Sequence, residues 1–258
     1  MRADNIDIAG LKFTDVFESD VAEHVAESLR AGRGGWIVTA NADISRLCKQ
    51  QPELNRLVSR ADLIVADGMP LLWAARLQGT PLKERVCGSN LVWSLAERAS
   101  NDGRSLFLLG GGHPDTAMRA ADELTQRFPQ LSIAGTHYPP FGFEDEPTEI
   151  DIIRRQIEET KPDIVYVALG FPKAERLIDL LRANHPNAWW IGVGISLSFI
   201  AGEVPRAPKW MQSAGLEWVH RLTKEPGRLA KRYLWHDMPF VLMLLTGAGL
   251  RRMRSPQP

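Results

Sequence analysis

Asp67 is the residue whose type and position best suit acid–base chemistry. It directly follows the apolar run Leu63–Ala66, so a buried strand should hold its backbone in place. A partly desolvated carboxylate at a strand end could take the proton from an attacking hydroxyl group. The alternative is a helix N-cap, because a helix is expected to begin near Pro70. The spacing alone favours the cap.

Groups that could recognise a sugar, a base or a phosphate follow other apolar runs. Thr39 and Asn41 offer a hydroxyl and an amide suited to a sugar or uracil, although either could cap the next helix. The backbone N–H groups of Gly110–Gly112 could approach a phosphate, and a tight strand-to-helix turn explains these glycines equally well. The full G-x-G-x-x-G fingerprint is absent, since Asp115 stands where its third glycine is expected. This departure argues against a standard dinucleotide-binding turn.

Arginines form a second set of candidates. Arg85 could hold a phosphate by a bidentate contact, or could form a surface ion pair. Arginines in the last part of the chain could neutralise a pyrophosphate, and neighbouring tryptophans could anchor that segment at a membrane interface. The alternative is a helical lid whose tryptophans are buried against the core. The residues concerned are Arg206, Arg221, Arg228, Arg232, Trp210, Trp218 and Trp235.

Short apolar runs alternate with helical patterns along most of the chain, which predicts βαβ units and a mostly parallel sheet. The runs are continuously apolar, as expected for strands covered by helices on both faces. The predicted fold class is therefore α/β and Rossmann-like, with a small hairpin at Asn5–Thr14. The predicted strands are Trp36–Thr39, Leu63–Ala66, Ser105–Leu109, Leu131–Ala134, Asp163–Leu169 and Ala188–Val193. The predicted helices are Val21–Arg30, Asn90–Ala99, Asp115–Arg127, Glu149–Glu159 and Glu175–Ala183.

The carboxyl ends of parallel strands meet at one edge of a sheet, where open α/β folds bind their ligands. Five of the predicted strands end in polar or glycine-rich sequence. We therefore expect a site at that edge, formed by Thr39–Asn41, Asp67–Gly68, Gly110–Gly112, Gly170–Lys173 and Gly192–Gly194.

The last part of the chain breaks this alternation, so we predict an α/β catalytic domain over 1–202 and a C-terminal appendage over 203–258. Residues 204–258 carry ten Lys and Arg against three Asp and Glu, although the whole chain has zero net charge. Such a segment suits an anionic partner such as a membrane surface, and a solvated basic helix is the alternative. Its uncharged run Met238–Leu250 is shorter than the ~20 residues that span a bilayer, which favours a position in the membrane interface.

The sequence contains no pattern that indicates a metal site. Cys48 and Cys87 form no C-x-x-C pair, which favours a reducing, cytoplasmic location. The histidines show no metal-ligand spacing, and there is no Asp-x-Asp sequence of the kind that holds a nucleotide diphosphate through a metal. No long apolar stretch follows the N-terminus, so no signal peptide is expected. We therefore expect no metal and no cofactor.

Several blocks of sequence, in order and over nearly the whole chain, resemble the WecG/TagA/CpsF family, glycosyltransferase family 26. The blocks are T-A-N at Thr39–Asn41, A-D-L-I-V-A-D-G at Ala61–Gly68, P-L-K-E-R-V-C-G-S at Pro81–Ser89, F-L-L-G-G at Phe107–Gly111 and V-A-L-G-F-P-K-A-E at Val167–Glu175, followed by R-A-P-K-W, G-L-E-W-V-H-R-L, E-P-G-R and K-R-Y.

The resemblance implies an inverting, metal-independent transfer of a hexose-type sugar, such as N-acetylmannosamine, its uronate or a glucose-type sugar, from a UDP donor. The family's proposed base falls on Asp67, an active-site arginine on Arg85, and donor-site polar residues on Thr39 and Asn41. Further donor contacts are expected at Gly68, Gly110, Gly111, Gly170, Lys173, Glu175 and Gly194. The lipid diphosphate is expected to meet Arg206, Arg221, Arg228, Lys231 and Arg232.

The implied acceptor is an undecaprenyl-diphosphate-linked sugar, on the cytoplasmic face of the inner membrane, in cell-envelope or exopolysaccharide biosynthesis. The expected partners are thus the UDP-sugar, the polyprenyl-diphosphate-linked sugar and the membrane surface. No nucleic-acid partner is expected, and a homo-oligomer is left open.

Two positions depart from the family's usual pattern. Ala174 stands where the family has a glutamine, and Ser198 stands where it has an aspartate. These changes leave the donor sugar open and favour one alternative, a UDP-sugar-binding subunit of a polysaccharide assembly complex that has lost transfer. A third hypothesis is a dinucleotide-dependent oxidoreductase, which the missing third glycine and the basic, tryptophan-rich C-terminal segment disfavour.

Overall fold

Within residues 3–224 and 226–254, which the computed structural model describes, six strands form one parallel sheet. The strands of this part of the chain are β1 (Asn5–Ile8), β2 (Leu11–Thr14), β3 (Gly35–Ala40), β4 (Leu63–Ala66), β5 (Ser105–Gly110), β6 (Ser132–His137), β7 (Ile164–Ala168) and β8 (Trp189–Gly192). The sheet has the order β4-β3-β8-β7-β5-β6, and each neighbouring pair is parallel. Strands β1 and β2 form the expected hairpin, which turns at Ala9 and Gly10. The predicted α/β fold is therefore confirmed.

Helices connect the strands and cover both faces of the sheet. They are α1 (Glu18–Arg30), α2 (Ala42–Gln50), α3 (Pro52–Val58), α4 (Met69–Leu77), α5 (Gly88–Asn101), α6 (Thr116–Arg127), α7 (Pro147–Thr160), α8 (Lys173–Leu181), α9 (Ser196–Ile200), α10 (Lys209–Ser213), α11 (Glu217–Lys224), α12 (Pro226–Ala230) and α13 (Met238–Arg254). A π-helical segment, Lys231–Asp237, joins α12 to α13.

The strands are apolar on both faces because each face packs on a layer of helices. On β3, Trp36 and Val38 belong to one core cluster, which includes side chains of α2, α3, α4, α7, α8 and α13. Ile37, between them, belongs to the opposite cluster, formed with α1, α5, α6 and α9. Period-2 alternation therefore places both sets of side chains in hydrophobic surroundings.

A crevice for ligands is expected between β5 and β7. Strand β5 leads through α6 to β6 on one side, whereas β7 leads through α8 to β8 on the other side. The two helices cover opposite faces, since α6 packs in one core cluster and α8 in the other. Such a reversal of direction opens a crevice at the carboxyl ends of the strands.

The predicted elements are present, and their ends differ by at most three residues from the prediction. Helix α1 begins at Glu18 rather than Val21, because its first turn is polar and is held by the Phe17 N–H, which donates to Asp20 Oδ2 at 3.1 Å. Helix α7 begins at Pro147, a residue favoured in the first turn of a helix.

The C-terminal segment packs partly into the core. Helix α13 buries Phe240, Leu244 and Ala248, and it packs against α4. Its other face exposes Leu242, Met243, Leu250 and Met253. None of the helices in the described ranges combines the length and apolar character that a bilayer span requires.

Candidate active site

Asp67 lies at the carboxyl end of β4, where the chain turns into α4. Its backbone N–H donates to the Ala40 carbonyl of β3 at 2.9 Å, which fixes the residue to the sheet edge. Its Oδ2 accepts a long hydrogen bond, 3.4 Å, from the Gly88 N–H. Helix α4 has Gly68 at its N-cap, with φ +146°, so the alternative of Asp67 as the cap is wrong. The positive φ explains why glycine follows Asp67.

The carboxyl group of Asp67 is partly buried, and its environment favours proton uptake. Burial raises the pKa of Asp67 above its usual value, and Glu217 raises it further. Arg85, the Gly88 N–H and the Cys87 thiol lower the pKa in part. A carboxylate with a raised pKa is a stronger base, as proton abstraction from a hydroxyl requires.

Two arginines converge on one carboxylate beside Asp67. Arg85 Nη1 lies 3.2 Å from Glu217 Oε2, and Arg206 Nε lies 3.1 Å from Glu217 Oε1. Glu217 is the first residue of α11, whereas Arg85 precedes α5, so the C-terminal segment reaches the carboxyl edge of the sheet, which we call the catalytic edge because the predicted catalytic residues lie there. Arg206, which sequence assigns to the lipid diphosphate, is thus brought together with the predicted catalytic pair of Asp67 and Arg85.

The predicted donor-site residues Thr39 and Asn41 lie at the end of the neighbouring strand. A Cβ on Gly88 would stand 2.9 Å from the Thr39 hydroxyl oxygen, so glycine is needed for this close approach. Asn41 Oδ1 accepts the Ile44 N–H at 3.0 Å and caps α2, as one alternative predicts. Contact of Thr39 and Asn41 with a sugar or uracil stays a prediction.

The glycines after β5 form a tight turn. Gly110 and Gly111 have φ of +88° and +133°, and a Cβ on Gly111 would overlap Thr116. The Thr116 hydroxyl donates to Glu203 Oε1 at 2.6 Å, so a carboxylate already lies at the start of α6. Tight-turn geometry is therefore present, and a phosphate contact at this turn stays a prediction.

The residues after β7 and β8 differ in their exposure. Lys173 pairs with Glu144 and lies over the Phe141 ring, 5.2 Å from its centroid. Glu175 is buried, and its Oε2 has no hydrogen-bond partner in the described part of the chain. Gly170 is exposed, and no atom lies near the position of a Cβ at Gly170 or Gly194, but the φ of +52° at Gly194 favours glycine there. Their roles as donor contacts also stay predictions.

The remaining basic candidates are in different surroundings. Arg232 faces Asp43 and Asp237, at 3.7 and 3.9 Å, so in this structure it joins α2 to the C-terminal segment. Lys231 is exposed, and Arg221 Nε has no hydrogen-bond partner within the described ranges. The side chain of Arg228 lies outside the described part of the structure.

The helical-lid alternative requires the tryptophans of the C-terminal segment to be buried, and they are not. Trp210, Trp218 and Trp235 are all exposed, and Trp235 exposes 77% of its surface. That alternative is therefore wrong for these side chains.

Sequence reasoning missed Glu217 and Cys87 as members of the site. Cys87 Sγ lies 3.1 Å from Ser89 Oγ and 4.0 Å from Glu217 Oε2, and burial raises the pKa of its thiol to about 12. Only the family's sequence blocks could have pointed to these residues. Cys87 lies in P-L-K-E-R-V-C-G-S, and Glu217 lies in G-L-E-W-V-H-R-L. Nothing in the spacing of the two blocks indicates that they meet.

The strand order, the crevice and the polar strand ends together define a doubly wound α/β protein with its candidate site at the carboxyl edge of the sheet. The chain belongs to the WecG/TagA/CpsF family of glycosyl transferases, whose model matches residues 6–254. The resemblance drawn from the sequence blocks is thereby confirmed.

A similar protein is the N-acetylglucosaminyldiphosphoundecaprenol N-acetyl-beta-D-mannosaminyltransferase of Bacillus spizizenii. It is 32% identical to this chain over 249 residues, which cover 96% of this chain and 92% of the relative.

Proposed function

We propose that the protein is an inverting glycosyltransferase that moves a hexose-type sugar from a UDP donor to a sugar linked to polyprenyl diphosphate. Membership of the glycosyl transferase family supports the reaction class. The name of the Bacillus relative, which specifies a diphosphoundecaprenol-linked acceptor, supports the acceptor class. The observation that carries the proposal is a partly buried Asp67 near Arg85 and Glu217 at the carboxyl edge of the sheet, with Arg206 joined to Arg85 through Glu217.

In the proposed mechanism, an acceptor hydroxyl attacks the anomeric carbon from the face opposite the diphosphate. Asp67 takes the proton of that hydroxyl as the new C–O bond forms. The bond between the anomeric carbon and the diphosphate oxygen breaks, and its electron pair leaves with UDP. Arg85 and Arg206 offset the negative charge that develops on the leaving group, without a metal ion held by the protein.

The test is the substitution Asp67→Asn, which keeps the shape of the side chain and removes the base. We expect turnover to fall about 10²- to 10⁴-fold, measured as transfer to a short-chain lipid-diphosphate sugar. Asp122→Asn, at an exposed position of α6, serves as the matched control and should keep full activity. Undiminished turnover in a folded Asp67→Asn protein would contradict the assignment of the base.

A second candidate function is a UDP-sugar-binding subunit without transfer, which Ala174 and Ser198 favour. Both side chains are buried, Ala174 on the core-facing side of α8 and Ser198 next to Gly112. A screen of UDP-sugars with a lipid-linked N-acetylglucosamine acceptor separates the two candidates. Product formation supports the transferase, whereas UDP binding without product from any donor supports the binding subunit.

We also propose that the C-terminal segment holds the protein at a membrane surface, on the cytoplasmic face of the inner membrane. Exposed Trp210 and Trp235 and the outer face of α13 supply apolar groups for the interface. Exposed Lys231, Arg251 and Arg252 supply positive charge for anionic lipids. This arrangement would bring the catalytic edge close to a lipid-linked acceptor.

A further inference from the structure

Glu217 joins two arginines that come from separate parts of the chain. Its two carboxylate oxygens lie 3.2 Å from Arg85 Nη1 and 3.1 Å from Arg206 Nε. The three side chains are only 16%, 16% and 21% exposed, so the group is largely shielded from water. We call Arg85 and Arg206 the anion seat.

Backbone carbonyls hold the anion seat independently of Glu217. Arg85 Nη2 donates to the Gln212 carbonyl at 3.1 Å, and Arg206 Nη1 donates to the Ser89 carbonyl at 3.3 Å. The two guanidinium groups would therefore keep one anchor each if Glu217 moved away. Guanidinium groups bind phosphate oxygens with the same fork geometry that they present to a carboxylate.

The charges around the anion seat disfavour a second anion while Glu217 is present. Asp67 and Glu217 balance Arg85 and Arg206, so the four side chains carry no net charge when both carboxylates are ionised. A diphosphate that approached this group would meet two carboxylates, and repulsion would offset the attraction of the arginines. Without Glu217 the remaining three side chains carry a net positive charge.

Glu217 is the carboxylate that can move. The backbone of Asp67 is fixed by the sheet, since its N–H donates a hydrogen bond to the Ala40 carbonyl of β3. Glu217 lies on α11, a helix of eight residues whose side chains all keep some exposure to solvent. Elements with little buried surface separate from a protein at low free-energy cost.

We propose that Glu217 fills the anion seat when the protein is free, and that the diphosphate of the sugar donor displaces it, so that donor binding detaches α11 from the catalytic edge. This inference rests on the proposed function. It gives α11 two positions, one held by the contacts of Glu217 and one reached when the donor displaces Glu217.

The first test is the affinity of the full chain for UDP, measured by isothermal titration calorimetry. Glu217→Gln removes the competing charge, so we expect UDP to bind about fivefold more tightly than to the unmodified protein. Glu123→Gln, an exposed glutamate of α6, is the matched control and should leave the affinity unchanged. Equal or weaker UDP binding by the Glu217→Gln protein would overturn the proposal.

The second test needs no substitution and follows hydrogen exchange of the α11 amides. In the unmodified protein, saturating UDP should speed exchange across residues 217–224, because α11 leaves the catalytic edge. In the Glu217→Gln protein these amides should exchange fast already without UDP. Unchanged or slower exchange on addition of UDP to the unmodified protein would overturn the proposal.

A diphosphate is also part of the proposed lipid acceptor, so farnesyl diphosphate is the comparison ligand. We expect it to leave α11 exchange unchanged, and acceleration by farnesyl diphosphate but not by UDP would overturn the assignment to the donor. Failure of UDP to bind at all would overturn the proposed function as well. UDP binding and sugar transfer with no response of α11 would overturn this inference alone.

Discussion

Glu175 places a carboxylate inside the protein, against the backbone of Gly192. The side chain is 5% exposed, and a Cβ on Gly192 would stand 2.9 Å from its Oε1. Burial raises the pKa of Glu175 to about 7, because the ionised form loses hydration without gaining a charged partner. The group is therefore neutral in the folded protein at mildly acidic pH and ionised above neutrality.

This shift makes stability depend on pH in a defined direction. The folded chain binds the Glu175 proton more tightly than the unfolded chain does. Protonation of Glu175 therefore stabilises the folded state at low pH, and this contribution is lost as pH rises through about 7. Glu175→Gln imitates the neutral form, so we expect it to raise the free energy of unfolding at pH 8 by about 3 kcal/mol and to change it little at pH 5.

Urea unfolding at pH 5 and pH 8 measures the effect. Glu159→Gln on α7, which is exposed, is the matched control and should leave both values unchanged. An equal effect of Glu175→Gln at the two pH values would show that Glu175 does not titrate between them.

At the residue scale, the sequence identifies site residues that directly follow apolar runs, and it misses site residues that come from distant parts of the chain. Asp67 could be found because a strand precedes it directly, and the strand fixes where its side chain begins. Glu217 could not be found from spacing, because its contact with Arg85 spans 132 positions and depends on how α11 packs. Asn41 was open to two roles because N-caps and ligand sites use the same short polar side chains.

At the scale of elements, α13 has apolar side chains on two faces. Phe240, Leu244 and Ala248 recur at intervals of four residues and face the core, as helical periodicity requires. Leu242 and Met243 point outward with Leu250. The sequence therefore predicts an apolar helix here, but periodicity alone does not tell which apolar face is buried and which is left for a membrane.

The outward face, with Trp235 beside it, predicts how the protein meets lipid. Trp235→Ala removes an exposed indole, and we expect the affinity for anionic vesicles to fall about tenfold because less apolar surface enters the interface. Co-sedimentation with vesicles measures the loss. Phe141→Ala removes a fully exposed aromatic side chain from the loop after β6, and this variant should bind vesicles like the unmodified protein. Equal binding by both variants would contradict a membrane role for Trp235.

At the scale of the whole molecule, the C-terminal segment contacts the α/β part at several separate places. Glu203 accepts the Thr116 hydroxyl at 2.6 Å, and Asp237 pairs with the buried Arg46 of α2 at 3.1 Å. Glu217 pairs with Arg85 and Arg206 of the anion seat, and α13 packs on α4. The boundary at 202 was predicted from a change in sequence pattern, and such a change does not report how much surface the two parts share.

These contacts lead us to expect that residues 1–202 and 203–258 unfold as one cooperative unit. Removing everything after residue 202 would expose the core surface that Phe240 and Leu244 cover, and would remove the Asp237 partner of Arg46. Arg46 keeps its contacts with Asp43 and Gln50, so the larger loss is apolar burial, at about 1.5–3 kcal/mol for each apolar side chain removed from the core. We therefore expect the truncated chain to melt at least about 10 °C lower than the full chain, which should show a single calorimetric transition.

Trp235→Ala serves as the control for that comparison, because it changes the C-terminal segment without touching the shared surface and should keep the melting temperature. Two separate transitions in the full chain, or an unchanged melting temperature after truncation, would favour an independently folded appendage. The distinction bears on function, because donor-driven release of α11 requires a segment that stays attached through α10 and α13 while α11 moves. One cooperative unit with a locally mobile α11 satisfies that requirement, whereas two independent domains would separate Arg85 from both Arg206 and Glu217 even without a donor.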